Sequence, residues 1–152
     1  MREFMKWSSL LYLHLSSCLD MRLARFGLNR SHHFYVLRVC ENPGISRDTL
    51  VHTVYRDQSN VTRALSHLES LGYLRRETNA QDRRACYYYP TEKALAEYEE
   101  IAKVVSDLIN EILEPFSEEE RRLFPALLEK AGLTAYEIHQ RDLKNERLEE
   151  LT

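Results

Sequence analysis

The sequence is poor in residues that interrupt regular structure. It has only 4 glycines and 4 prolines among 152 residues, too few for a sandwich of short strands that needs a turn about every ten residues. No apolar run approaches the roughly 20 residues that a membrane-spanning helix needs. The composition therefore favours long helices, and we expect no membrane partner.

Cysteine is also scarce. The 3 cysteines, Cys18, Cys40 and Cys86, form an odd number and contain no C-x-x-C pair, so neither a disulfide framework nor a structural zinc site is indicated. The segment 15–18 is similar to a lipoprotein cleavage box, but the apolar stretch before it is short and is interrupted by His14. We expect a cytoplasmic protein with reduced thiols and with no metal or other cofactor.

Charge is abundant but unevenly distributed. With 43% hydrophobic and 30% charged residues, the chain has enough apolar material for a core, which excludes wholesale disorder. Residues 1–45 hold 6 basic and 3 acidic side chains, residues 46–93 hold 8 and 6, and residues 94–152 hold 7 and 15. Exposed charges are screened beyond about 10 Å. The net charge of −3 therefore does not exclude a nucleic-acid partner at a locally basic face.

Four helices are predicted in the first half of the chain from the spacing of apolar, capping and turn residues. They run from Phe4 to Phe26, from a cap at Ser31 to the turn at 42–44, over a short segment after the cap at Ser46, and from Asp57 to Gly72. In the fourth helix Val61, Leu65 and Leu68 share one stripe. Because few residues separate the third and fourth helices, they form a helix-turn-helix candidate.

The periodicity then changes from helical to strand-like. Residues 73–77 and 85–89 are rich in β-forming side chains, and the segment between them is polar and turn-prone. This pattern predicts a β-hairpin with a charged tip. A helix is predicted from Thr91 to Pro115, and another opens with a capping box at Ser117. We expect residues 132–134 to interrupt that helix before a last one.

The order of these features resembles the winged helix-turn-helix of the MarR (multiple antibiotic resistance regulator) family. The resemblance covers residues 45–94 and rests on the ordered set of segments 45–46, 60–63, 68–74, 82–84 and 91–93. Two residues depart from the family pattern. Val51 stands where a small alanine is usual, and Pro90 stands where leucine usually closes the second wing strand.

The resemblance implies a mainly α (α+β) fold. Residues 31–93 would form a winged helix-turn-helix DNA-binding domain with a two-stranded wing, and residues 1–30 and 94–152 an intertwined helical dimerisation region. The implied function is a transcription regulator, which we expect to be a ligand-responsive repressor acting as a homodimer on a pseudo-palindromic operator. No catalytic motif is recognisable, so we do not expect an enzyme. The alternative is a winged-helix protein-interaction module that does not read DNA.

The polar face of the fourth helix supplies most candidate contacts to double-stranded DNA. If its apolar stripe faces the core, the opposite face presents groups that can bind base edges in the major groove. The predicted contacts are Gln58, Ser59, Asn60, Thr62, Arg63 and His67 on this helix, Ser46 and Arg47 before it, and Arg83 and Arg84 at the hairpin tip. The tip arginines suit a narrow minor groove, and Asp82 would orient one of them.

In the family that the sequence resembles, small phenolic or lipophilic ligands, metals or oxidants often change the spacing of the two DNA-binding domains of the dimer. The candidate effector-pocket residues here are Tyr12, His14, Cys18, His33 and Phe34. The alternative for His14 is a histidine in a helix interface. Adjacent helical residues point about 100° apart, so His32 and His33 are poorly placed to share one metal ion.

Overall fold

The computed structural model describes residues 2–54, 58–78 and 86–149. Its elements are α1 (Arg2–Leu23) with a short 3₁₀ turn (Ala24–Phe26), α2 (His33–Glu41), β1 (Ile45–Ser46), α3 (Arg47–Val54), α4 (Gln58–Ser70), β2 (Leu74–Thr78), β3 (Cys86–Pro90), α5 (Glu92–Leu113) and α6 (Glu118–Glu149). The mainly helical winged helix-turn-helix expected from the sequence is confirmed.

The chain divides into two compact units, Met1–Asn110 and Glu111–Thr152. The first unit contains the buried core, to which α1 to α5 all contribute fully buried apolar side chains such as Leu23, Val36 and Ile101. The second unit contains α6, in which no residue is buried. The helix-turn-helix and its sheet therefore lie within a unit that has its own core.

The sheet is antiparallel with the strand order β1-β3-β2. β2 pairs with β3 from Leu74 opposite Pro90 to Thr78 opposite Cys86, which gives the expected two-stranded wing. β1 adds a short third strand through Ile45 opposite Tyr88. A strand of two residues shows no alternation of its own, so periodicity could not reveal it.

Two glycines with positive φ close the predicted turns. Gly72 has φ of 76° and ends α4, where its N–H donates to the Glu69 carbonyl and the next N–H donates to the Leu68 carbonyl. Gly44 has φ of 84°, and an added Cβ there would lie 3.2 Å from the Tyr89 hydroxyl. Both the conformation and the contact with Tyr89 favour glycine at position 44.

Serine caps begin two helices, as the sequence predicts. The Thr49 N–H donates to Ser46 Oγ at 3.1 Å, which caps α3. At the start of α6 the Ser117 N–H donates to Glu120 Oε2 at 2.8 Å, and the Glu120 N–H donates back to Ser117 Oγ at 3.3 Å. These bonds form a capping box. The Ser117 N–H, and after it the Ser117 hydroxyl, donate to the Glu120 carboxylate and so lower the pKa of that carboxyl.

The predicted cap of α2 at Ser31 is wrong. The N-cap residue is His32, which makes no side-chain capping bond. The Ser31 N–H instead donates to Asn29 Oδ1 at 2.8 Å. An asparagine side chain readily binds the backbone two residues ahead of it, and this local turn delays the start of the helix.

The predicted interruption at residues 132–134 is also wrong, because α6 is continuous from Glu118 to Glu149. A glycine inside a helix costs only about 1 kcal/mol relative to alanine. Gly132 alone is therefore not enough to break the helix. The Thr134 hydroxyl donates to the Lys130 carbonyl at 2.9 Å. The Thr134 hydroxyl therefore has a hydrogen-bond partner inside the helix, and the helix need not end there.

Tyr73 joins three parts of the first unit just before β2. Its side chain is buried, and its hydroxyl donates to the Phe26 carbonyl at 2.8 Å and lies against the Glu97 carboxylate of α5. The Lys93 ammonium lies 4.2 Å from the centre of its ring. Burial, reinforced by Glu97, raises the pKa of the Tyr73 hydroxyl well above its usual value, so the hydroxyl remains a hydrogen-bond donor.

We expect Tyr73→Phe to lower the free energy of unfolding by about 1–2 kcal/mol, because it removes a partly buried hydrogen bond and leaves the Phe26 carbonyl without its donor. Urea unfolding followed by circular dichroism would measure the change. Tyr87→Phe is the matched control, since no hydrogen bond of the half-buried Tyr87 hydroxyl is found among the described residues. Equal stability of the two variants would contradict the linking role of Tyr73.

Candidate nucleic-acid interface

The structure divides α4 into an apolar side and a polar side. Val61, Leu65 and Leu68 are fully buried, which fixes the rotation of the helix about its axis. The candidate contacts on the opposite side are exposed at Gln58, Ser59, Asn60, Arg63 and His67, and half-buried at Thr62. The sequence therefore predicted correctly which face of α4 reaches solvent.

Hydrogen bonds along α4 organise this polar face. Arg63 Nη2 donates to Asn60 Oδ1 at 2.6 Å, and Arg63 Nε donates to the Ser59 carbonyl at 3.4 Å. The Thr62 hydroxyl donates to the Gln58 carbonyl at 2.8 Å. The Arg63 guanidinium is thus held against its own helix. The Thr62 hydroxyl donates its single proton within the helix, so that proton is not available to a base.

Ser46 and Arg47 lie at the start of α3 and are half-buried. The Ser46 oxygen accepts from the Thr49 backbone and also bonds to the Thr49 hydroxyl at 2.8 Å. The Arg47 side chain is only 25% exposed, and its Nε lies 3.6 Å from the Asp48 carboxylate. This Nε forms no hydrogen bond with any residue that the structure describes. Arg47 is therefore less accessible than the sequence suggests.

The hairpin tip residues Asp82, Arg83 and Arg84 lie outside the described residues. The arginines of β2 are described. Arg75 pairs with Glu77, and Arg76 Nε lies 3.6 Å from the Glu69 carboxylate. The carboxylates on this strand and on α4 therefore offset part of the positive charge of the wing.

The effector candidates divide between two hollows, of which the first borders α4. One hollow, of about 670 Å³, is lined by Tyr12, Asn29, Arg30, Ser31, His32, Tyr35, Asn60, Arg63 and Ala64. His33 and Phe34 line the other, of about 340 Å³, with Arg30, Ser31, Tyr35, Thr53 and Val54. His14 and Cys18 line neither of these two hollows. The five candidates therefore do not form a single pocket.

An ion pair between Asp20 and Arg30 connects α1 to the first hollow. The Asp20 carboxylate accepts a hydrogen bond from the Arg30 backbone at 2.8 Å and pairs with the Arg30 guanidinium, which raises the pKa of Arg30. Asp20 and Arg30 are ten residues apart, which matches neither helical nor strand spacing. No local sequence signal could have revealed this pair.

His32 forms a second link between α2 and α4. His32 is 9% exposed, and its ring centre lies 4.8 Å from that of His67. No described residue forms a hydrogen bond with its Nδ1. Burial lowers the pKa of His32, and the charges of His67 and His33 lower it further, whereas the charge of Asp20 opposes the shift. The folded protein therefore disfavours the charged form of His32.

This shift predicts a loss of stability in acid. Because the pKa of His32 is lower in the folded than in the unfolded chain, the unfolded chain binds more protons, and stability falls as the pH drops below about 6.5. We expect His32→Phe to flatten the dependence of unfolding free energy on pH between about 5 and 7, with the exposed His52→Phe as the comparison variant. Urea unfolding at several pH values would show this, and parallel curves for wild type and His32→Phe would contradict it.

The described parts of the chain show no group of three His, Cys, Asp or Glu side chains arranged to hold a metal ion. Burial, with a smaller effect of Glu41, raises the pKa of the Cys40 thiol to about 11, so this thiol is protonated at neutral pH and unreactive. Within the described ranges, no helix has the length and apolar character required to span a bilayer.

Comparisons with known proteins agree with this geometry. Residues 26–85 match the sequence model of the MarR family. YybA of Bacillus subtilis, an HTH-type transcriptional regulator, is 25% identical over 130 residues, which cover 86% of this chain and 87% of YybA. Over residues 26–85 the chain is therefore similar to the MarR family, and over most of its length it is similar to an HTH-type transcriptional regulator.

Solved structures of MarR proteins are similar over most of the chain. The MarR protein from Peptoclostridium difficile is 26% identical, covers 88% of each chain and superposes with a TM-score of 0.81. A MarR-family regulator from Listeria monocytogenes, solved in complex with a 26mer DNA, is 23% identical with a TM-score of 0.78, over 88% of this chain and 89% of that one. The second likeness establishes a shared fold.

Proposed function

We propose that this protein is a member of the MarR family and a sequence-specific DNA-binding repressor whose α4 enters the major groove. The observation that carries the proposal is the division of α4, because its three fully buried apolar residues hold the amide and guanidinium groups of the other side in solvent. Such groups can pair with adenine and guanine edges. The DNA complex of the Listeria monocytogenes regulator supports the same use of the fold here.

Contacts beside α4 would position the reading helix without reading sequence themselves. We assign phosphate contacts to Ser46 and to Arg47, whose guanidinium would move outward from its half-buried position. Arg83 and Arg84, in the segment that connects β2 to β3, would enter the minor groove, with Asp82 orienting one of them. Binding to DNA would place the protein in the cytoplasm.

The protein would act as a homodimer joined through its terminal regions, residues 1–30 and 94–152. Apolar side chains on α1 and α6 are at least 42% exposed: Phe4, Met5, Trp7, Leu10, Leu13, Leu123, Leu127, Leu128, Ile138 and Leu148. Such exposure is typical of surfaces that another protein covers. An obligate interface would bury more than about 2,000 Å², and the paired α4 helices would meet half-sites of a pseudo-palindrome about 34 Å apart.

A small phenolic or lipophilic effector would regulate this binding from the hollow that Tyr12 lines. The same hollow is lined by Asn60 and Arg63, so a ligand there would occupy space beside the side chains proposed to meet DNA. His33 and Phe34, in the neighbouring hollow, form the second candidate position. His14 and Cys18 are not part of this proposal.

Selection of genomic fragments by the purified protein, followed by anisotropy titrations from about 50 to 200 mM salt, tests the function. A DNA reader should enrich one palindromic sequence, bind it more tightly than random duplex and lose affinity steeply as salt rises. Titration with phenolic compounds then tests the effector. A winged-helix protein-interaction module would bind little duplex at any salt, and that result would overturn the proposal.

A further inference from the structure

Arg63 is the only arginine or lysine of α4, and its charge is not neutralised by a carboxylate in the part of the chain that the structure describes. The strand arginines differ, since Arg75 pairs with Glu77 and Arg76 lies beside Glu69. The partner of the Arg63 guanidinium is instead the neutral side-chain amide of Asn60. This site therefore fixes a cation without cancelling its charge.

The guanidinium is held at two points. Nη2 donates to Asn60 Oδ1 at 2.6 Å and Nε donates to the Ser59 carbonyl at 3.4 Å. The contact with Asn60 is the stronger of the two, because 3.4 Å is longer than an ordinary N–H···O hydrogen bond. Asn60 lies three residues before Arg63, the spacing at which side chains on one helix face can meet.

We propose that Asn60 is a positioning residue, which confers sequence specificity by orienting Arg63 toward a guanine. This inference rests on the proposed DNA-binding function and assigns a role within the same interface. A guanidinium has five N–H donors, and a bidentate contact with guanine O6 and N7 uses two of them. After the bonds to Asn60 and Ser59, enough donors remain for that contact.

Orientation before binding should increase discrimination rather than overall attraction. An unrestrained arginine loses rotamer freedom when it pairs with a base, whereas one already held on its helix loses less. Attraction to phosphates depends on charge, which the Asn60 amide leaves unchanged. Removing the amide should therefore reduce the preference for the operator and spare the binding of random duplex.

A double-mutant cycle measured on operator and on random duplex tests this role. Asn60→Ala should lower the operator-to-random affinity ratio by about three- to tenfold, with random-duplex affinity unchanged. In an Arg63→Ala background, Asn60→Ala should cause no further loss. Ser66→Ala, an exposed change on the same helix, is the control and should leave the ratio at its wild-type value.

A carboxylate variant separates positioning from direct base reading. Asn60→Asp retains an acceptor for Arg63 but removes the amide N–H groups that an adenine contact needs. Its negative charge should weaken binding to both duplexes, while the operator-to-random ratio remains near that of wild type. If Asn60 read a base itself, Asn60→Asp would lose discrimination as Asn60→Ala does.

The free protein offers a readout that does not depend on DNA. Nitrogen-15 relaxation of the Arg63 Nε–H group should report a rigid side chain in wild type and in Asn60→Asp, and a mobile one in Asn60→Ala. Additive losses in the cycle, or equal mobility of Arg63 with and without the amide, would overturn the positioning role alone. Failure of the wild-type protein to prefer any DNA sequence would overturn the proposed function as well.

Discussion

Arg63→Ala is expected to lower the affinity for the operator by about 10- to 100-fold, because a good bidentate pair with guanine contributes about 1–3 kcal/mol of discrimination. The guanidinium is exposed and points away from a side of α4 that is fully buried. Random duplex should lose only the few-fold that one phosphate-attracting charge supplies. Fluorescence anisotropy with matched operator and random duplexes measures both affinities.

Arg63→Lys is the informative companion, since it keeps the positive charge but lacks the planar fork of donors. We expect its random-duplex affinity to equal that of wild type and its operator affinity to lie between those of wild type and Arg63→Ala. Wild-type operator affinity in Arg63→Ala would show that this side chain does not read sequence.

Leu65→Ala is expected to lower the free energy of unfolding by about 2–5 kcal/mol, the usual range for a truncated, fully buried leucine. Leu65 is 0% exposed and lies between the two other buried residues of α4. The loss would be a large part of the 5–15 kcal/mol by which domains are typically stable. Urea or thermal unfolding measures it.

The neighbouring Ser66→Ala is the matched control for Leu65→Ala, because Ser66 is exposed on the same helix turn. It should change the stability by less than about 0.5 kcal/mol. A loss below about 1 kcal/mol in Leu65→Ala would mean that α4 is not packed as described, and its polar face would no longer be fixed toward solvent.

The sequence predicted the helices well where periodicity and punctuation agree. The fourth helix has apolar residues at helical spacing and a glycine at its end, and both its buried side and its termination at Gly72 are confirmed. The capping residues Ser46 and Ser117 are confirmed for the same reason. In each case the determining interaction lies within a few residues of chain.

Predictions failed where the determining interaction depends on a wider context. The short strand at Ile45 forms only because Tyr88 offers it a partner. The expected break near Gly132 did not occur, because the helical residues on both sides stabilise the helix by more than one glycine destabilises it. The predicted cap at Ser31 did not form, because the Ser31 N–H bonds to the Asn29 side chain in a local turn.

The candidate interface was only partly predictable. Helical periodicity placed Asn60 and Arg63 on the exposed face of α4, but it could not show the bond between them, which depends on side-chain rotamers. The hollow beside α4 combines Tyr12 with residues of the α1–α2 connection and of α4. Its members are far apart in sequence, so only the folded chain brings them together.

Protection of guanine N7 from methylation by dimethyl sulfate tests the central claim, that the polar face of α4 reads the major groove. The selected operator would be probed with saturating wild-type protein and with Arg63→Ala at a concentration that gives equal occupancy. We predict that wild type protects guanines in both half-sites and that Arg63→Ala exposes one guanine in each. An identical pattern for the two proteins, or no protected guanine N7 with wild type, would contradict the account.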